Sequence, residues 1–233
     1  MTLTKELPTV LHTPRLTLRL ADPDNPSDCQ KIIQIYNDPH SSIGGNARVG
    51  INTPADVHAK HAKHGPRQEF CTKAVAPRGL FHLTFLKTSE DDGGEGELIG
   101  FIGLSFRPEM PYPDLGFALF KPFQGQGYAS EAGRRALSFW TDDVGVKEIF
   151  CGALEGNERS LATAKRIGFV EVGGFDVEFG EVGSGEVVRK RAVAVVLPGM
   201  RWREFDEGGR RVVIRPTVGV ETEGQRRGEI RVS

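Results

Sequence analysis

A mixed β-sheet with helices on both faces, an α/β (α+β) fold, is the architecture this sequence predicts. Three observations carry it. Leu115 to Phe120 (LGFALF) is a short apolar run with aromatics, as a buried strand requires. Gln124 to Ala129 (QGQGYA) follows as a Gly-rich turn, and residues 129 to 140 then place Ala129, Ala132, Ala136, Leu137 and Trp140 at helical spacing. Further strand-like runs flank this strand–turn–helix unit on both sides, separated by Pro-, Gly- and Asn-bearing breaks.

The elements follow in order. His12 to Leu20 alternates Leu16, Leu18 and Leu20 against Thr and Arg, a half-buried strand. Asp28 is a candidate cap for a helix with Ile32, Ile33 and Tyr36 inward, ended by Pro39. Residues 40 to 53 read as loop. Thr53-Pro54 opens a second helix to about His64, with Gly65 beyond its end. Leu80 to Leu86 and Leu98 to Phe106 are strands, joined by an acidic, Gly-rich hairpin loop, Ser89 to Glu97. Asp114 to Phe120 and Glu148 to Ala153 are strands flanking the Gly-motif helix. Ser160 to Ile167 is a short last helix, and Glu171 to Glu178 with Val187 to Leu197 close the sheet as an antiparallel pair. Pro198-Gly199 marks a boundary: residues 1 to 198 read as one domain, and 199 to 233 as a polar tail, partly disordered. Arg211 to Val220 is a candidate edge strand, which Pro216 keeps off a central position.

Composition excludes several function classes. The 233 residues are 38% hydrophobic and 26% charged, with a formal net charge of −1. That is an ordinary soluble balance with no basic footprint for nucleic acid. No apolar run reaches the roughly 20 residues of a membrane span. Cys29, Cys71 and Cys151 are too few and too scattered for a disulfide framework or a zinc cluster. The N-terminus lacks a signal core, so the expected compartment is reducing and cytoplasmic.

The Gly turn is where chemistry enters. Gly125 and Gly127 permit positive φ and close backbone approach. The helix after them aims unpaired N–H groups and the positive dipole end at the same point, an anion site of the phosphate-binding kind. A P-loop needs Gly, four residues, then Gly-Lys-Ser/Thr, and no such string exists here. A dinucleotide fingerprint fails at Ser130, where its third glycine belongs. Gln124, Gly127 and Ala129 instead match Q/R-x-x-G-x-G/A, the signature of the GNAT acyl-CoA N-acetyltransferases. The string QGQGYASEA, Gln124 to Ala132, resembles the branch containing the ribosomal-protein N-terminal acetyltransferases. Companion matches fall in the family's order. They are TPRLTLR from Thr13, NDP from Asn37, IGFIGL from Ile99, NERS from Asn157 and RIGF from Arg166.

The resemblance implies a mostly antiparallel sheet, splayed at the cofactor-binding strand, and acetyl-CoA as cosubstrate with no metal. It implies that the backbone of Gln124, Gly125, Gln126, Gly127, Tyr128 and Ala129 takes the pyrophosphate. The backbone of Phe117, Ala118 and Leu119 then pairs with the pantetheine arm, beside a bulge that opens the sheet. Asn157 is expected to bond that arm, or to cap its helix as Asn commonly does. Relatives use a Tyr on the last helix to protonate the thiolate. This chain has none there, and Ser160 is the nearest hydroxyl. Asp114 or Glu178 is the candidate general base. Cys151 reads as a core residue rather than a nucleophile, because nothing pairs it with a His. His58, His61 and His64 stand three apart on the second helix and read as a solvated face, with one His near substrate.

The expected activity is acetyl transfer to a primary amine by direct attack in a ternary complex. The acceptor is a small molecule, a protein N-terminus or a lysine, with no nucleic-acid or membrane partner and a monomer or homodimer as the working unit. A catalytically silent acyl-CoA-binding domain is the alternative.

Overall fold

Leu16, Leu18 and Leu20 do build a strand, but the chain turns back just before it. Thr13-Pro14 breaks the expected run into β1 (Val10–His12) and β2 (Leu16–Leu20), an antiparallel pair with Leu11 opposite Leu18. The Thr13 hydroxyl accepts from the Leu16 N–H at 2.9 Å, closing the turn. The computed structural model describes residues 6–40, 50–87, 96–108, 110–180, 187–200, 202 and 212–214. The expected acidic hairpin loop lies almost wholly outside them.

Helix α1 (Pro26–Tyr36) is capped by Asn25, whose side chain accepts from the Ser27 N–H at 2.9 Å. Asp28 is therefore not the cap. It is 1% exposed inside the first turn, bonded to both terminal nitrogens of Arg19 at 2.6 and 2.8 Å and to the Asp22 N–H at 2.9 Å. Pro one step after Asn25 fixes the helix start there, leaving Asp28 free to pin strand to helix. Helix α2 (Pro54–His64) begins as expected, with Thr53 and Asp56 in a reciprocal capping box. Its inward stripe is unusual: Asp56, Lys60 and His64, spaced four apart, are buried with Val57.

Strands β3 (Phe81–Leu86), β4 (Glu97–Ser105) and β5 (Asp114–Leu119) lead into α3 (Tyr128–Ser138). Past Ser138 the chain loosens into a π-helical stretch, Phe139–Val144, that buries Phe139, Trp140 and Val144. Strand β6 (Phe150–Leu154), α4 (Glu158–Ile167), β7 (Val170–Gly180), β8 (Val187–Val196) and β9 (Val212–Ile214) follow. The sheet runs β1-β2-β3-β4-β5-β6-β8-β7-β9, antiparallel except at β5–β6 and β7–β9. Residues past Pro198-Gly199 thus return to the fold: β9 lies on β7, and Trp202 packs against Phe150, Phe175 and Tyr112.

Strand alternation sends side chains to two faces. On one, Leu115 and Leu119 of β5 pack with Ala132, Ala136, Trp140 and Ile167 under α3 and α4. On the other, Phe101 and Ala118 pack with Ile32, Ile35 and Val57 under α1 and α2. A third core, with Phe150, Phe175, Ala194 and Val196, covers β6 to β7. His82 is wholly buried beside Phe139 and Trp140, and neither ring nitrogen has a hydrogen-bond partner among the described residues.

Candidate active site

The sheet comes apart between β5 and β6. These parallel strands pair only at Asp114 opposite Phe150, after which they diverge. A slot therefore opens toward their C-terminal ends, along Gly116 to Leu119 on one side and Gly152 to Leu154 on the other. Ligands of open α/β sheets sit at such ends. The expected bulge is elsewhere: β5 stays in unbroken register with β4, and the irregularity lies in β4 against β3, around Ile99 and Gly100. Gly100 has φ 155°, and a Cβ there would stand 2.0 Å from the Ala118 carbonyl. The strand thus bends where only glycine allows β5 to lie so close.

The Gly turn closes the open end on the β5 side. Gly125 (φ 78°) and Gly127 (φ 83°) adopt the left-handed conformation expected of them. Gly127 is the N-cap of α3 and supplies no side-chain bond, so the first-turn N–H groups, which have no intrahelical acceptor, are left without a side-chain cap. A Cβ on Gly125 would meet nothing within 4 Å, so the approach is open. Side chains hold the turn's shape rather than project into it. Gln124 Nε2 donates to the Leu119 carbonyl at 2.9 Å, and Gln126 Nε2 to the Pro122 carbonyl at 2.8 Å. Arg15, which the sequence marks only as part of a strand, braces the turn. Its Nε bonds Glu131 at 2.7 Å, its Nη1 bonds the Gln126 carbonyl at 3.2 Å, and its guanidinium stacks 4.4 Å from the Tyr128 ring centre.

The other lip is the start of α4. Asn157 is its N-cap and accepts from the Ser160 N–H at 3.2 Å, so the capping role is realised. Ser160 sits in the first turn, half-buried, beyond the end of β6.

At the junction, Asp114 pairs with Arg107 at 3.2 Å and accepts from the Gly152 N–H at 3.4 Å. Burial raises its carboxyl pKa, against the pull of the Arg107 guanidinium and the Gly152 bond. Asp114, Gly116 and Ala118 share the α1/α2 face. Gly116 is exposed there, and a Cβ added to it would meet nothing within 4 Å; Gly152 is exposed across the slot. The face is therefore open above Gly116, whereas a Cβ on Gly152 would stand 3.0 Å from the Phe175 ring, at the edge of the third core.

The other sequence candidates lie on neighbouring elements. Glu178 lies in β7, two strands from β6 and past the end of the β6–β8 pairing, and its side chain is outside the described residues. Cys151 is buried in the α3/α4 core, where desolvation first and the Asp114 charge second push its thiol pKa up. The histidine face is not solvated. His64 is buried, and His61 Nε2 accepts from the Leu80 N–H at 3.1 Å; desolvation lowers their pKa values to about 3 and about 4. Only His58 of the three is exposed, because the stripe at positions 56, 60 and 64 turns inward. No cluster of three His, Cys, Asp or Glu fit for a metal exists among the described residues, and none of their helices is long and apolar enough to cross a membrane.

The acetyltransferase (GNAT) domain family matches residues 15–170. A Bacillus subtilis (strain 168) protein named "putative ribosomal N-acetyltransferase YdaF" is 30% identical over 160 residues, covering 68% of this chain and 79% of its own. Among solved structures, a ribosomal-protein-S5-alanine acetyltransferase from Vibrio fischeri shares the fold at TM-score 0.54 and 15% identity, covering 84% of this chain and 99% of that one. The ribosomal L7/L12 α-N-protein acetyltransferase RimL, solved in complex with coenzyme A, gives TM-score 0.50 at 19% identity, over 82% of this chain and 97% of that one.

Proposed function

The chain belongs to the GNAT acetyltransferase family and is an acetyl-CoA-dependent N-acetyltransferase; from that premise we propose that it acetylates a primary amine by direct attack within a ternary complex. The observation that carries this reading is the single-pair junction of β5 and β6 with an uncapped Gly turn at the slot's open end. Both features fit acetyl-CoA: free N–H groups suit a pyrophosphate, and the unpaired β5 edge suits an amide-bearing arm. When bound, acetyl-CoA supplies an activated thioester carbonyl.

The backbone of Gln124 to Ala129 binds phosphate, and the Phe117–Leu119 edge orients the arm. At about 3.3 Å per residue, β5 runs roughly 17 Å back from Leu119 to Asp114, so the reacting end lies near the junction. Asp114, directly or through water, takes the amine proton, with Glu178 as the alternative base. Ser160 Oγ gives a proton to the departing sulfur. Asn157 sets the α4 start and is positioned to bond the arm as well. No acyl-enzyme forms on Cys151, whose buried thiol has no activating partner among the described residues. The three buried free cysteines support a reducing, cytoplasmic setting. Ribosomal proteins are acceptors in the names of two of the relatives, which supports a protein N-terminus among the candidates.

A panel of amines with acetyl-CoA, read by thiol release beside a CoA titration, tests this. Turnover on any member supports the reading. Binding without turnover on the whole panel supports the silent CoA-binding domain. We also propose that the functional fold ends before Val220: truncation there should leave CoA affinity and melting temperature unchanged, and a large loss of either would place the remainder in the fold.

A further inference from the structure

Burying an ammonium without an anion is unfavourable, so proteins rarely do it without a ligand or a role. Lys60 comes close to this: its stem is buried, while its Nζ, which is not among the fully buried unpartnered atoms, still reaches solvent. It is 5% exposed on the inward stripe of α2, with its Nζ 5.4 Å from the Tyr36 ring centre, and makes no hydrogen bond or ion pair among the described residues. Beside it, His64 Nδ1 and Arg107 Nε are buried and lack hydrogen-bond partners among those residues. These side chains are brought together by the fold. The His64 carbonyl accepts from the Phe106 N–H at 2.8 Å, stitching the Arg107 segment to the end of α2. Arg107 in turn grips Asp114 at the slot's junction. Arg107 and Lys60 bring two positive charges against the single carboxylate of Asp114. Lys60 Nζ and Arg107 Nε can only donate, so the partner they lack is a hydrogen-bond acceptor, and their charge favours an anion.

We infer that Lys60 and Arg107 form a carboxylate-binding subsite on the acceptor side of the slot, so that the acceptor amine carries a nearby carboxylate. This rests on the acetyl-transfer reading and narrows its acceptor class. A free amino acid and a peptide whose first residue is acidic both present this chemistry. Polyamines and lysine side chains do not.

The charge balance gives the subsite a pH signature. Desolvation first, and then the Arg107 charge, lower the Lys60 pKa to about 7, with Asp114 pulling the other way and Lys63 adding to the lowering. Tyr36, from α1, and His64 complete the titratable groups facing it; burial keeps the phenol protonated and the imidazole neutral near pH 7. A carboxylate bound beside Lys60 favours the ammonium. Binding above about pH 7 should therefore take up a proton, and binding below it should not.

Calorimetry on the CoA-loaded chain with amine-free probes tests this. N-acetylglycine against N-acetylglycinamide represents the free amino acid. The α-amide of N-acetylaspartate against that of N-acetylasparagine represents an acidic N-terminus. The acid of at least one pair should bind roughly tenfold tighter than its amide, with proton uptake near about pH 8 that disappears near about pH 6. Lys60→Met and Lys60→Gln should abolish both the preference and the uptake while CoA affinity stays within about twofold. Equal affinities in both pairs, or a preference that survives Lys60→Met, would overturn the subsite. Acid selectivity without thiol release on any amine would strike the transfer reading and leave the subsite standing.

Discussion

The two ends of the slot are made of different materials. Its open end is backbone: turns at Gly125 and Gly127, the bare start of α3 and the capped start of α4. Its junction is side chains gathered from distant stretches, with Arg107 from the segment after β4 paired to Asp114 of β5, and Lys60 of α2 within the electrostatic reach of both. Backbone donors recognise phosphate and amide whatever the acceptor is. Side chains on separate elements can vary one at a time to suit different acceptors. A scaffold that keeps one cosubstrate and varies its acceptor would divide its site this way.

The sharpest way to break this contrast is Gly127→Asp. It sets an anion against the phosphate site and a Cβ beside Arg15, 3.5 Å from its Nη2. CoA affinity should fall by roughly 100-fold or more, while the Arg15–Glu131 brace keeps the fold and circular dichroism is unchanged. Unchanged affinity in a folded variant would remove the open end from the site. At the junction, Asp114→Asn should do the reverse. It should lower kcat roughly tenfold to 100-fold and flatten the acidic limb of the pH profile, with CoA affinity within about twofold. A profile that keeps its shape would take the proton from Asp114 and give it to another group. Ser160→Ala should cost roughly tenfold in kcat and leave CoA binding nearly intact, whereas Cys151→Ala should retain most turnover. Ping-pong kinetics or an isolated acetylated Cys151 would overturn direct transfer.

The smallest effect on chemistry concerns acid stability. His61, His64 and His82 are held neutral by burial, with pKa values of about 4, about 3 and about 3 against an ordinary value of 6.5. Between those values and 6.5 the unfolded chain binds more protons. Stability should therefore fall as pH drops below about 6.5 and continue falling toward about 3. At Asp28 and Glu131 burial pushes the pKa up, but the hydrogen bonds and arginine charges around each carboxylate together outweigh it and lower the pKa, extending the loss at the acid end. His82→Leu should recover roughly 1–3 kcal/mol near about pH 4, read from urea midpoints. A midpoint that does not move from pH 7 to about 4 would contradict these assignments.

The same contrast explains what is legible in the sequence. The Gly turn, the α2 cap and every main strand can be read because each depends on neighbours a few residues apart. His12 to Leu20 reads as one strand because alternation alone does not register a turn at Thr13-Pro14. Asp28 reads as a cap because its partner, Arg19, lies on a strand. The inward turn of Lys60 and His64 leaves no local signal: Lys and His between alanines look solvated until Arg107, Asp114 and Tyr36 close around them. The bulge in β4 is expected in β5 because its effect, the parting from β6, appears one strand away from its cause.

That parting has a mechanical consequence. Strands β1 to β5 and β6 to β9 form two plates joined across the sheet by one paired position, Asp114 with Phe150. An arm laid along β5 would occupy the place of the missing rungs, so the cosubstrate would act as a removable strand. Its loading would stiffen the joint between the plates, and its binding free energy would enter directly into the cohesion of the whole sheet. Amide hydrogen exchange along β5 and β6 would then slow on CoA addition, while β1 to β3 would barely register it. On the proposed binding mode, turnover would be a cycle of the sheet losing and regaining a strand.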